Sequence, residues 1–151
     1  MQLLLYTDYA LRVLIYVAAH PGDPVAAAAI ADGYGISADH VAKAAKALTR
    51  AGYLRSVRGV GGGVRLGKAA REISIGEVVR LFETGRGAVA CLQAAGPPCR
   101  IQPACRLRRA FERAEAAFYR ELDAVTLEDL VQGSTGIVRL LALRVPVRPR
   151  A

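Results

Sequence analysis

The chain holds two histidines, three cysteines and 13 acidic residues, and it has no long apolar run. Each shortage excludes something. His20 and His40 stand alone, with no serine-histidine-acid pattern and no phosphate loop ahead of a helix, so the sequence offers little for a metal-dependent enzyme, the alternative from a different functional class. Nowhere do about 18 uncharged apolar residues run together, so no membrane span is expected. The opening Met1 to Leu5 lacks a basic flank and runs straight into Asp8 and Arg12, unlike an export signal. The expected compartment is the cytoplasm. Thiols stay reduced there, and an odd number of cysteines reads as free thiols or metal ligands rather than as a disulfide framework.

What is present is a basic, core-forming chain. Its 151 residues are 53% hydrophobic, the size and content of one ordinary domain. A net charge of +8 favours a polyanionic partner, either nucleic acid or a membrane surface. The absence of a basic terminus with an apolar face counts against the membrane.

Hydrophobic periodicity places a first helix from about Thr7 to Ala19, with Leu11, Leu14, Ile15 and Ala18 on one stripe and Thr7 as its N-cap. A turn cluster from His20 to Pro24 follows, then a helix from about Ala26 to Tyr34, a break at Gly35-Ile36-Ser37, and a helix from about Ala38 to Ala51 with Ser37 as its N-cap. Two short helices joined through a glycine-containing break outline a helix-turn-helix. Tyr53 to Arg58 and Val64 to Leu66, separated by a glycine-rich turn, read as a hairpin in the position of a wing. Ser74 and Glu77 have capping-box spacing and open a fourth helix to about Glu83, and Thr126 caps a short turn through about Val131.

The expected fold is mainly α: a winged helix-turn-helix domain (1–84), a cysteine-bearing loop (85–103), a dimerisation helix with a short following turn (104–132) and a C-terminal tail (133–151), disordered toward its end. The dimerisation helix is inferred from the spacing of Leu107, Phe111, Ala114, Phe118, Leu122 and Val125, an apolar seam suited to a partner helix.

Charge is concentrated where a DNA reader needs it. From Ser37 to Lys68 there are seven cations and one acid, a density that favours phosphate contact through counterion release. The candidate DNA contacts are Ser37, Asp39, His40, Lys43, Lys46 and Arg50 on the third helix and Arg58, Gly62 and Arg65 on the wing. Of the wing residues, Arg58 or Arg65 is the candidate to reach the minor groove, and the glycines let backbone approach the sugar-phosphate surface.

Cys91, Cys99 and Cys105 fall within 15 residues in a C-x7-C-x5-C spacing. That spacing fits neither the paired cysteines of zinc ribbons nor a thioredoxin motif, and no histidine lies near enough to complete a zinc site. Clustered thiols beside Arg100, Arg106 and Arg108 suit a soft metal, an iron-sulfur cluster among the choices.

Several stretches resemble a known family. Tyr6-Thr7-Asp8-Tyr9-Ala10-Leu11-Arg12, Ala51-Gly52-Tyr53-Leu54, Arg58-Gly59, Gly61-Gly62-Gly63-Val64-Arg65-Leu66 and Ile75-Gly76-Glu77-Val78-Val79 are similar to the Rrf-type regulators, the family of NsrR and IscR. So are Cys105-Arg106-Leu107, Leu122-Asp123 and Thr126-Leu127-Glu128-Asp129-Leu130. IscR-like members carry a histidine three residues after the third cysteine, where this chain has Arg108, so the resemblance leans toward the NsrR-like, nitric-oxide-sensing repressors. It implies a homodimer on a double-stranded DNA operator, with a 4Fe-4S cluster held by Cys91, Cys99 and Cys105 and by Asp8 of the partner subunit. It also implies a switch in which Asp8, once released, pairs with Arg12. The alternative within the family is a 2Fe-2S cluster that reports iron-sulfur status or redox state. The first cysteine spacing, which includes Gly96-Pro97-Pro98, is longer than the family pattern suggests.

Overall fold

A computed structural model describes residues 2–133 and 135–142. Seven helices and one hairpin follow in the order α1 (Leu5–Ala19), α2 (Ala27–Tyr34), α3 (Ala38–Arg50), β1 (Leu54–Val57), β2 (Gly63–Leu66), α4 (Ile75–Phe82), α5 (Arg106–Asp123), α6 (Leu127–Val131) and α7 (Thr135–Ala142). The architecture is mainly helical with a small hairpin, as expected of a winged helix.

α1 is the central helix. It touches α2, α3, α4, α6, α7 and β2, so it is covered on more than one side. Ala10, Val13, Leu14 and Val17 are fully buried, while Leu11, Ile15 and Ala18 pack on the rim of the core. The periodic stripe read from the sequence is therefore displaced by about one residue, because a helix surrounded by neighbours has no single wet face to oppose it. α3 shows the simpler pattern: Val41, Ala44, Ala45 and Leu48 are buried, Ala42, Lys43 and Lys46 between them are exposed, and Ala47 is partly exposed.

The hairpin pairs Leu54 with Leu66, Arg55 with Arg65, Ser56 with Val64 and Val57 with Gly63. Val25 adds a one-residue bridge to Val64 through two 2.9 Å backbone hydrogen bonds. This docks the wing on the segment before α2. A Cβ on Gly63 would strike the Val25 carbonyl, so glycine is needed for that close approach.

The chain returns to the same core after α5. Ile75 N–H donates to Val125 O at 3.0 Å and Leu127 N–H to Ile73 O at 2.9 Å, and Leu127 is completely buried. Where α5 ends, a Cβ on Gly76 would collide with the Asp123 carboxylate, and Arg80 grips that carboxylate through both of its terminal nitrogens.

Four local expectations need correcting. α1 begins at Leu5, and Thr7 is not its N-cap: the hydroxyl is buried and donates to Glu83. Ser37 occupies the N-cap position of α3 without a side-chain bond to the helix. The span from 85 to 103 is not structureless, for it carries 3-10 turns at Ala90–Leu92 and Gln102–Ala104, the second running on into Ala104. The stretch assigned as a tail contains α7, which packs on α1 and α2. The expected disorder of the extreme C-terminus lies outside the described residues. The Ser74 cap and the Thr126 cap are formed, Thr126 making a full capping box with Asp129.

Candidate functional site

The exposed face of α3 is built by the helices that bury its other side. α2 ends at Gly35 in a left-handed conformation (φ 62°), whose N–H caps carbonyls of the last turn. The chain then reverses and leaves Ser37, Asp39, His40, Lys43, Lys46 and Arg50 all exposed. The N-terminal half of α3 is braced by α1: Tyr6 Oη donates to Lys43 O at 2.9 Å, and Tyr9 stacks on His40 with ring centroids 5.3 Å apart. His40 is thus oriented by an aromatic neighbour while its edge stays open to solvent.

At the wing tip Arg58 is exposed, and Val60 stands entirely free of the body. Gly59 and Gly61 take positive φ (103° and 72°). Gly62 donates to Gly59 O at 3.0 Å, and a Cβ there would come within 2.5 Å of Val57 O. These glycines close the tip. Arg65 lies lower on the hairpin and is only partly exposed.

The cysteine segment folds on itself. Cys91 sits half-buried in the first 3-10 turn, Cys99 is exposed after Pro97-Pro98, and Cys105 is the N-cap of α5, its Sγ accepting from Arg108 N–H at 3.4 Å. Ala94 N–H donates to Gly85 O at 3.0 Å, and Ala88 N–H to Glu115 Oε1 at 2.7 Å on α5. Among the described residues no three His, Cys, Asp or Glu side chains are gathered closely enough to hold a metal ion. One chain thus presents three thiols on a single segment, with no convergent cradle.

Asp8 lies on α1, with its carboxylate 2.9 Å from Arg12 Nε and both side chains about two-fifths exposed. The Arg12 guanidinium also stands over the Tyr34 ring at 5.5 Å. Tyr34 ends α2, and burial pushes its phenol up to about 12, the Arg12 charge opposing part of that rise. The pair is therefore in contact with the helix-turn-helix break.

Glu83 was not visible in the sequence as a site residue. It is 5% exposed, accepts from Leu4 N–H at 2.7 Å and from the Thr7 hydroxyl, and pairs with Arg86 at 3.2 Å. A buried carboxylate needs such partners. It fastens the start of α1 to the entry of the cysteine segment. Its local pattern, a glutamate after a helix, carries no signal of this, because every partner but Arg86 is at least 76 residues away.

A short exposed basic helix, preceded by a glycine break and followed by a docked hairpin, defines the winged helix-turn-helix class of DNA-binding proteins. Residues 5–133 match the model of the Rrf2 family, iron-dependent transcriptional regulators, and the chain belongs to that family. Solved structures agree with the fold. The chain is similar to CymR, the global cysteine regulator of B. subtilis, at TM-score 0.72 and 27% identity over 87% of this chain and 96% of that one. It matches the oxidized form of Staphylococcus aureus CymR at 0.69 and 27%, over 87% and 97%. T. potens IscR matches at 0.70 and 23%, over 90% of each chain, a likeness of fold alone. The family is one of transcriptional regulators rather than enzymes, and no helix among the described residues is long and apolar enough to cross a membrane.

Proposed function

We propose that this regulator is a homodimeric repressor that senses nitric oxide through a 4Fe-4S cluster. The observation that carries the reading is the placement of Cys91, Cys99 and Cys105 on one partly exposed segment between the winged body and α5. The donor chemistry fits: three thiols suit iron and sulfide, and the Arg108 N–H on Cys105 Sγ is a contact that a metal-bound sulfur also accepts. The three thiols would hold the cluster, with Asp8 of the partner subunit as the fourth ligand. Such a cluster would supply iron that nitric oxide can ligate.

The chain's own part is positional. Glu83 links the entry of the cysteine segment to the first turn of α1, and Tyr6 and Tyr9 link that turn to α3. Asp8 holds Arg12 at the end of α2, so a change in what Asp8 binds is felt beside the helix-turn-helix break. DNA contact falls to Ser37, Asp39, His40, Lys43, Lys46 and Arg50, with Arg58, Gly62 and Arg65 from the wing.

Anaerobic purification tests the reading. Roughly four irons and four sulfides per chain are expected, lost on changing any of the three cysteines to alanine. Nitric oxide should bleach the sulfur-to-iron absorption and release operator DNA over the same additions. Two irons per chain would favour the sibling reading, a 2Fe-2S sensor of iron-sulfur or redox status. Equal DNA affinity with and without the cluster would overturn both.

A further inference from the structure

Arg55 and Arg65 face each other across the hairpin as direct partners. Like charges at directly opposed positions repel, their Cβ atoms being about 5 Å apart. Elsewhere Arg12, Arg80, Arg86 and Arg108 each hold a carboxylate, but none of the four ion pairs among the described residues includes Arg55 or Arg65. The Arg65 Nε is moreover withdrawn from water without a hydrogen-bond partner, an arrangement that costs free energy unless a ligand completes it.

Both arginines line one cleft of about 330 Å³ between the hairpin and the C-terminal end of α1, and His20 lines it too. His20 Nδ1 donates to Tyr16 O at 2.8 Å, so that donor is used within the chain and the anion-binding donors of the cleft are the two arginines. Asp23 is the acid on the rim, and it pairs with neither arginine. Two unpaired guanidinium forks over a concave surface match the planar, multidentate demand of an oxyanion.

We propose that this cleft is a phosphate site, held by Arg55 and Arg65, that takes a phosphate of the DNA backbone beside the wing. Assigning the phosphate to DNA rests on the DNA-binding reading above; the site itself does not. Arg55 would then add an anchor outside the recognition helix, one that fixes register without reading bases.

Two measurements on the full chain test it. In thermal unfolding at constant ionic strength, inorganic phosphate should raise the Tm of the wild type by about 2–5 °C in a saturable way. Arg55→Gln and Arg65→Gln should abolish that rise while leaving the phosphate-free Tm equal or higher, since repulsion is relieved. In operator binding, Arg55→Gln should reduce the slope of log affinity against log salt by about 1. A phosphate-dependent rise with an unchanged salt slope would support the site but assign it to a free anion. No rise and no slope change, while Arg58→Ala still weakens DNA binding, would overturn the proposal and leave the DNA reading standing. A fall in phosphate-free Tm in both variants would overturn it as well, by making the pair structural.

Discussion

The winged body and α5 are held in place by different means. All but one of the fully buried apolar side chains lie between Ala10 and Val79, the exception being Leu127, whereas the 18 residues of α5 include none that is buried. The near end of α5 leans on the body through Phe118, Tyr119 and Leu122, while Leu107 is 65% exposed and takes no part in the core. A self-sufficient core fixes the DNA-facing surface. Among the described residues the turn at Ala90–Leu92 touches α5, but Leu107 and Ala114 on the far half of its seam stay exposed, which is the condition in which a second copy supplies what is missing.

The largest effects should separate these two regions. Leu14→Ala, in the centre of α1, should cost about 2–5 kcal/mol and unfold much of the protein, because it opens a cavity in a closed core. Leu107→Glu with Ala114→Glu, both at exposed positions of the seam, should leave the monomer's stability within about 0.5 kcal/mol and abolish dimerisation. Denaturant unfolding reads the first and sedimentation the second. An intact dimer in the double variant would break the comparison, since the seam would then be an ordinary wet face.

Next in size is Glu83, the buried carboxylate where the two regions meet. Glu83→Ala strands the Leu4 N–H and the Thr7 hydroxyl and should cost about 1–3 kcal/mol. Glu83→Gln keeps an acceptor for both and gives up only the pair with Arg86, whose side chain is half exposed, so most of the stability should return. Equal losses in the two variants would show that the charge, rather than the acceptor, holds the junction.

The legible part of the molecule was the part written in neighbouring residues. The break at Gly35, the glycine tip between the strands and the Ser74 and Thr126 caps are local patterns, and each expresses a backbone requirement within a few residues, whereas part of the α5 stripe, Phe118, Leu122 and Val125, packs on the body of its own chain. What escaped was set at long range. The burial of Leu127, the burial of Thr7 against Glu83 and the opposition of Arg55 to Arg65 all depend on segments that meet only in the fold. The three cysteines were legible as a constellation, because proximity in sequence is itself the signal; their convergence on a metal is not formed within the described residues of one chain.

The DNA face gives a smaller effect that sharpens the contrast between anchoring and reading. Arg58→Ala at the exposed wing tip should weaken binding to all sequences and lower the salt slope by about 1, with no change in folding. His40→Ala should instead alter preference among bases, since the ring is held at the start of α3 by its stack on Tyr9. A selection experiment returning the same preferred operator for wild type and His40→Ala would remove His40 from base reading.

The smallest expected change in stability is at Asp8, and its smallness is what makes it informative. The Asp8–Arg12 pair is an i, i+4 contact on α1 with both side chains partly in water, so Asp8→Ala should cost only about 0.2–0.5 kcal/mol in the cluster-free protein. Arg12 keeps Tyr34 as a neighbour in that variant. If Asp8 serves the partner's cysteines as the fourth ligand, the same substitution should leave iron and sulfide bound by three thiols but shorten the cluster's lifetime in oxygen or blunt the response to nitric oxide. A carboxylate is the hardest and weakest of the four donors. Measuring both in one variant separates the two roles: a stability loss well above 1 kcal/mol with an unchanged nitric oxide response would make Asp8 a structural residue of α1, whereas an altered response with stability preserved would assign it to the site shared between the two subunits.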